Sequence, residues 1–136
     1  MVKQEVARGP GGRVLIMGSI TQVEAQDEGA WVVSASHGGV SSGEFALEVP
    51  LQGAFFNDAG VGKDDAGIAA LAMLQARGVA AATVSHRSAR IGDCQDTWEH
   101  GVVSHANARA LAWGILPGQS LRESLLQCLA HGAPRA

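Results

Sequence analysis

Four short apolar runs decide most of what this chain can become. They span residues 14–17, 30–34, 54–56 and 79–84, and each is continuous rather than alternating in polarity. A strand that buries one face alternates, whereas a strand covered on both faces is apolar throughout. The runs therefore predict central strands of a parallel sheet packed between helices.

Helical signals fall between and after them. A helix is predicted from Asp64 or Asp65, either of which can cap free amides, to Gly78. Ile68, Leu71, Ala72 and Gln75 mark its inner face. Val102, Ala106, Ala110 and Trp113 recur at helical spacing and predict a second helix, stopped by Gly114. Ser120 and Glu123 make an S-x-x-E capping box, and Leu121, Leu125 and Leu129 form one stripe of a third helix. Strands alternating with helices give an α/β fold. The expectation is a small three-layer, Rossmann-like domain with a mostly parallel sheet of about four strands and flanking helices. The first connection is short for a helical crossover. Either the first run pairs antiparallel or residues 21–26 form a brief helix.

Within the 136 residues, 1–12 end in Gly-Pro-Gly-Gly and read as a flexible arm, 13–130 as a single domain, and 131–136 as a flexible tail. Composition narrows the function classes. Tyrosine is absent and aromatics are 4% of the chain, which removes the stacking platform that single-stranded nucleic acid requires. The net charge is −3 and there is no dense basic run, so duplex binding is not expected. No apolar stretch approaches the roughly 20 residues of a membrane span. Cys94 and Cys128 are isolated, with no C-x-x-C, and read as reduced thiols. The polar N-terminus lacks the apolar core of a signal peptide, and the expected location is cytoplasmic.

Ligands of open parallel sheets bind beyond the carboxyl ends of the strands. The most polar stretches of this chain follow the second, third and fourth runs: Ser34-Ala35-Ser36-His37-Gly38-Gly39, Asn57-Asp58-Ala59-Gly60-Val61-Gly62-Lys63, and Ser85-His86-Arg87-Ser88-Ala89-Arg90 onward to Asp93. The topology brings all three to one edge. Gly60 and Gly62 allow close backbone approach, and Lys63 adds a cation. This is neither a Walker A loop, since Asp64 follows the lysine, nor GxGxxG, since Asp65 stands at the third glycine. Ser36 and His37 have the chemistry of nucleophile and base, with amides of Gly38 and Gly39 beside them. Neighbours on an extended chain point apart, so His86 for Ser36, or His37 for Ser88, is the better pairing. No GxSxG elbow is present. Arg87 and Arg90 suit a carboxylate or phosphate, or pair with Asp93 or Asp58. His37, His86, Asp58 and Asp93 lack metal-ligand spacing, so no metal is assigned and no cofactor is expected. Asp93 next to Cys94 argues against a thiolate nucleophile.

The expected catalytic set is Asp58, His86, Ser36 and His37. The expected substrate-binding set is Gly38, Gly39, Gly60, Gly62, Lys63, Arg87, Arg90 and Asp93. The leading reading is an enzyme, a hydrolase or lyase, that acts on a small anionic molecule by hydrolysis or acid–base chemistry. The alternative is a non-catalytic binding module or an accessory subunit of a larger enzyme. Trp31, Trp98, Trp113, Phe55 and Phe56 offer apolar area for a homo-oligomer or a subunit partner.

Overall fold

A computed structural model describes residues 1–132. The sheet has six strands in chain order: β1 Lys3–Gly9, β2 Gly12–Met17, β3 Trp31–His37, β4 Gly53–Asn57, β5 Ala80–Val84 and β6 Val103–Ala106. β2 to β5 are parallel, and β1 and β6 close the two sides antiparallel. The helices are α1 Val40–Ala46, α2 Ala69–Gln75, α3 Cys94–His100, α4 Ala108–Ala112 and α5 Leu121–His131. The fold is mixed α/β.

The four apolar runs are the four parallel strands, and their continuity has the predicted cause. Val14, Ile16, Val33, Phe55 and Val84 pack on one face with residues of α3, α4 and α5. Leu15, Met17, Val32, Phe56 and Ala81 pack on the other with residues of α1 and α2. Phe55 and Phe56 are adjacent and both fully buried, one in each layer. Apolar burial of this kind contributes about 25 cal/mol per Å² removed from water, so a strand buried on both faces contributes twice over.

Several expectations need correction. The sheet has six strands, not about four. Residues 3–9, expected in a flexible arm, form β1, and Gly11 N–H donates to the Leu129 carbonyl at 2.7 Å. Gly9 and Gly11 lie so close to the α5 backbone that a Cβ at either would collide with it. Lys3 reaches back to Glu24 at 2.8 Å and to buried Asp27 at 2.9 Å. β2 is parallel to β3, so of the two expectations for the first connection the brief helix comes nearer: the connection holds two short 3-10 helices, Ile20–Gln22 and Ala25–Asp27. Val102, Ala106, Ala110 and Trp113 do not share one helix. Val103–Ala106 is β6, and α4 begins afterwards, capped by Asn107. Asp64 and Asp65 do not cap a helix, because both hold left-handed backbone, φ 55° and 57°, within the irregular turn Lys63–Ile68. Ser120 does cap α5, accepting from Glu123 N–H at 3.2 Å, and Leu121, Leu125 and Leu129 are buried. His131 is the last residue of α5, and 133–136 lie outside the described residues. No described helix is long and apolar enough to cross a membrane.

One consequence of the layering positions the site. The chain leaves β3 for α1 and β4 for α2, both on one face, but leaves β5 for α3 on the opposite face. Adjacent loops that depart to opposite faces open a crevice between the strand ends. In this sheet that place is between β4 and β5.

Candidate functional site

The three polar loops meet at the carboxyl ends of β3, β4 and β5. Gly38 N–H donates to the Asn57 carbonyl at 3.0 Å, and Gly92 N–H to the Ala35 carbonyl at 3.1 Å. Asn57 is fully buried and joins the other two loops. Its amide donates to the Ala89 carbonyl at 2.9 Å, and its oxygen accepts from Ala59 N–H at 2.8 Å.

Asp58 follows β4 and His86 lies two residues beyond β5, and the two meet where the loops of these strands part to opposite faces. Asp58 is buried, and Oδ1 accepts from Gly60 N–H at 2.8 Å and from His86 N–H at 3.1 Å. The His86 ring approaches the same oxygen through Nδ1 at 3.2 Å. Burial acts to raise the Asp58 pKa. It is outweighed by the Gly60 amide, the Ser104 hydroxyl, and the amide and ring of His86, so the carboxyl stays below its ordinary value. An ionised carboxylate only accepts, so His86 Nδ1 carries a proton and Nε2 is left as the basic nitrogen. The His86 side chain is 44% exposed.

The loop that carries Asp58 is conformationally unusual. Ala59, Val61, Asp64 and Asp65 all have positive φ, from 52° to 67°, without being glycine. For Val61, β-branched at φ 67°, this is a strained state of the kind that clusters at functional sites. The strain is held in place from below. Val61 N–H donates to the Asp58 carbonyl, and Gly67 N–H donates to the Val61 carbonyl, both at 2.7 Å. Gly67 lies against the Asp58 carbonyl, where a Cβ has no room.

The other expected residues are placed as follows. Lys63, Arg87 and Arg90 are exposed on the two loops flanking the crevice, and none makes an ion pair among the described residues. Asp93 caps α3 by accepting from Asp96 N–H at 2.9 Å. Gly60 lies beside the His86 ring. Gly62 is exposed, whereas Gly38 and Gly39 are buried. Ser36 Oγ accepts from Ile20 N–H at 3.0 Å. Ser88 Oγ donates to the Ser85 carbonyl at 2.7 Å and accepts from Val102 N–H at 2.9 Å. The pairings His86 with Ser36 and His37 with Ser88 are not among the hydrogen bonds of the described residues. Burial, reinforced by the Asp93 charge, pushes the Cys94 thiol up, and burial takes Cys128 to about 11. No group of three or more metal-ligating side chains converges among the described residues.

Sequence reasoning missed a second polar group beside this pair. On β6, Ser104 Oγ lies 2.9 Å from Thr83 Oγ1 and 3.2 Å from His105 Nδ1. In sequence Ser104 looks like a helix-start residue and His105 like an ordinary polar surface residue, and no spacing marks the two as a pair. Two clefts lie elsewhere. One of about 420 Å³ runs along the start of α5 past Ser120, Glu123 and Gln127. Another of about 380 Å³ opens by Leu51, Arg77 and Val79, at the amino ends of β4 and β5. Neither is lined by a residue of the three polar loops. Neither is lined by a hydrogen-bonded acid–base pair, whereas the strand ends carry one in Asp58 and His86.

Among protein-family models, curated proteins and solved structures, none matches this chain.

Proposed function

We propose that this chain is an enzyme that acts on a small anionic molecule at the β4/β5 crevice by acid–base chemistry. His86 is the general acid/base, oriented by Asp58, and Lys63, Arg87 and Arg90 receive the carboxylate or phosphate group. The buried carboxylate against a half-exposed imidazole carries this reading. It fixes the tautomer, stabilises the imidazolium once a proton is taken, and leaves Nε2 free of that bond on a side chain 44% exposed. Three cations without an ion pair among the described residues supply the complementary charge. The backbone strain at Val61 and the crevice between oppositely departing loops both support the same location. Two buried thiols agree with a reducing compartment such as the cytoplasm.

The test is a thermal-shift screen against a panel of small carboxylates and phosphates, followed by turnover assays on any that bind. The expected result is stabilisation that Arg90→Ala weakens, and turnover that His86→Ala lowers by about 10²-fold or more. An absence of any anion response, with Arg90→Ala indistinguishable from wild type, would remove the reading. A second reading, a binding module or accessory subunit, draws support from the two clefts, which lie away from the acid–base pair. It is distinguished by binding that survives His86→Ala with no turnover in either protein.

A further inference from the structure

β5 and β6 slip register between Thr83 and Val84: Thr83 faces His105, Val84 faces Val103, and Ser104 is the extra residue. A bulge re-aims side chains that a regular strand would send to opposite faces. Here it brings two neighbours together, with Ser104 Oγ and His105 Nδ1 3.2 Å apart. The cluster lies at the carboxyl end of β5, where Thr83 is the second-last residue and His86 follows two residues after the strand.

The protons on this cluster can be counted. Ser104 has one hydroxyl hydrogen and several acceptors within reach: the Thr83 carbonyl at 3.3 Å, the Thr83 hydroxyl at 2.9 Å and His105 Nδ1 itself at 3.2 Å, with the Thr83 hydroxyl 3.5 Å from the same Nδ1. With the proton on the Thr83 carbonyl or the Thr83 hydroxyl, Ser104 Oγ faces His105 as an acceptor and Nδ1 donates, whereas a proton placed on Nδ1 itself gives the opposite tautomer. In the first arrangement the ring is left with a bare Nε2, the same state that Asp58 imposes on His86. We propose that His105 is a second basic nitrogen at this rim, oriented by Ser104 as His86 is oriented by Asp58. Ser104 is then a positioning residue. A site with two such imidazoles can remove a proton from a bound molecule at one ring and return one from the other. That fits isomerisation or elimination better than nucleophilic attack by a serine. This functional use rests on the reading of the rim as the working site, but the state of the two rings does not.

The experiment is long-range ¹H–¹⁵N spectroscopy of histidine rings in the full chain with no ligand added, at about pH 8, where an unperturbed histidine is neutral. Rates of acylation by diethyl pyrocarbonate at each histidine report how open each bare nitrogen is. In wild type, both His86 and His105 are expected as the Nδ1–H form and both are acylated. Ser104→Ala is expected to shift His105 alone toward the Nε2–H form. Ser104→Thr restores the Nδ1–H form, and Thr83→Val leaves it in place. His105 found as Nε2–H in wild type, unmoved by Ser104→Ala, or resistant to acylation while His86 reacts would overturn the assignment. Each of those outcomes would leave the His86 reading standing, whereas a failed anion screen with correct ring states would sink the functional reading alone.

Discussion

Asp58 spends one oxygen on three donors, and this makes it both a structural and a chemical residue. Replacing it with alanine leaves the Gly60 and His86 amides without an acceptor, at about 1–3 kcal/mol for each group left buried. The charge can be separated from the shape by pH. A carboxyl held below its ordinary pKa contributes stability that is fully present above the ordinary carboxylate range and is lost as pH falls through the folded value. Wild type is therefore expected to exceed Asp58→Asn in chemical denaturation at pH 7, with the gap closing under acid. A gap that stays constant down to about pH 2 would mean the charge contributes nothing. At Val61, removing the side chain relieves positive-φ strain, so Val61→Gly is expected to hold or raise Tm, against the usual penalty for glycine. Gly67→Ala is expected to cost about 3 kcal/mol or more, because the Asp58 carbonyl occupies the space a Cβ needs. Asp58, His86 and the cations were readable from residue type and position after a run. The strain was not, since Asp64 and Asp65 look like helix caps in sequence, and aspartate is among the few residues that tolerate left-handed backbone.

Elements were legible in proportion to how completely they are buried. β2 to β5 each carry a continuous apolar stretch because helices cover both of their faces, and α5 announces itself by cap and stripe. β1, sequence KQEVARG, is an edge strand with charged residues facing water, so nothing in it distinguishes a strand from a tail. β6 has only four residues, and its apolar positions continue by coincidence into the helical spacing of α4. Between the two stands Asn107, whose role no periodicity could disclose. Its oxygen accepts from Ala81 and Ala110 N–H, and its amide donates to the Leu71 and Val79 carbonyls. All four of its hydrogen-bonding capacities are used while it is buried, which ties α2, β5 and α4 together. Asn107→Leu is expected to lower stability by about 3 kcal/mol or more in urea denaturation, since four backbone groups lose their partner. A cost under about 1 kcal/mol would show that water or a shifted strand replaces it.

At the scale of the whole molecule, β1 covers one flank of the sheet and the 118–120 segment bonds along the other, through Gly118 N–H to the Val103 carbonyl at 2.7 Å. Deleting residues 1–9 is expected to expose the β2 edge, lower Tm and promote association, read by light scattering; a monomer of unchanged Tm would return that segment to the status of an appendage. The way the layers divide at β4 and β5 carries a further implication. One lip of the crevice is continuous with the α2 side of the protein and the other with the α3 side. Substitutions that repack one side can then shift its lip by fractions of an ångström while the opposite wall keeps its place. On the proposed reading, the fit to a larger or smaller guest is set through residues that never touch it, and the imidazole on the β5 side need not move at all.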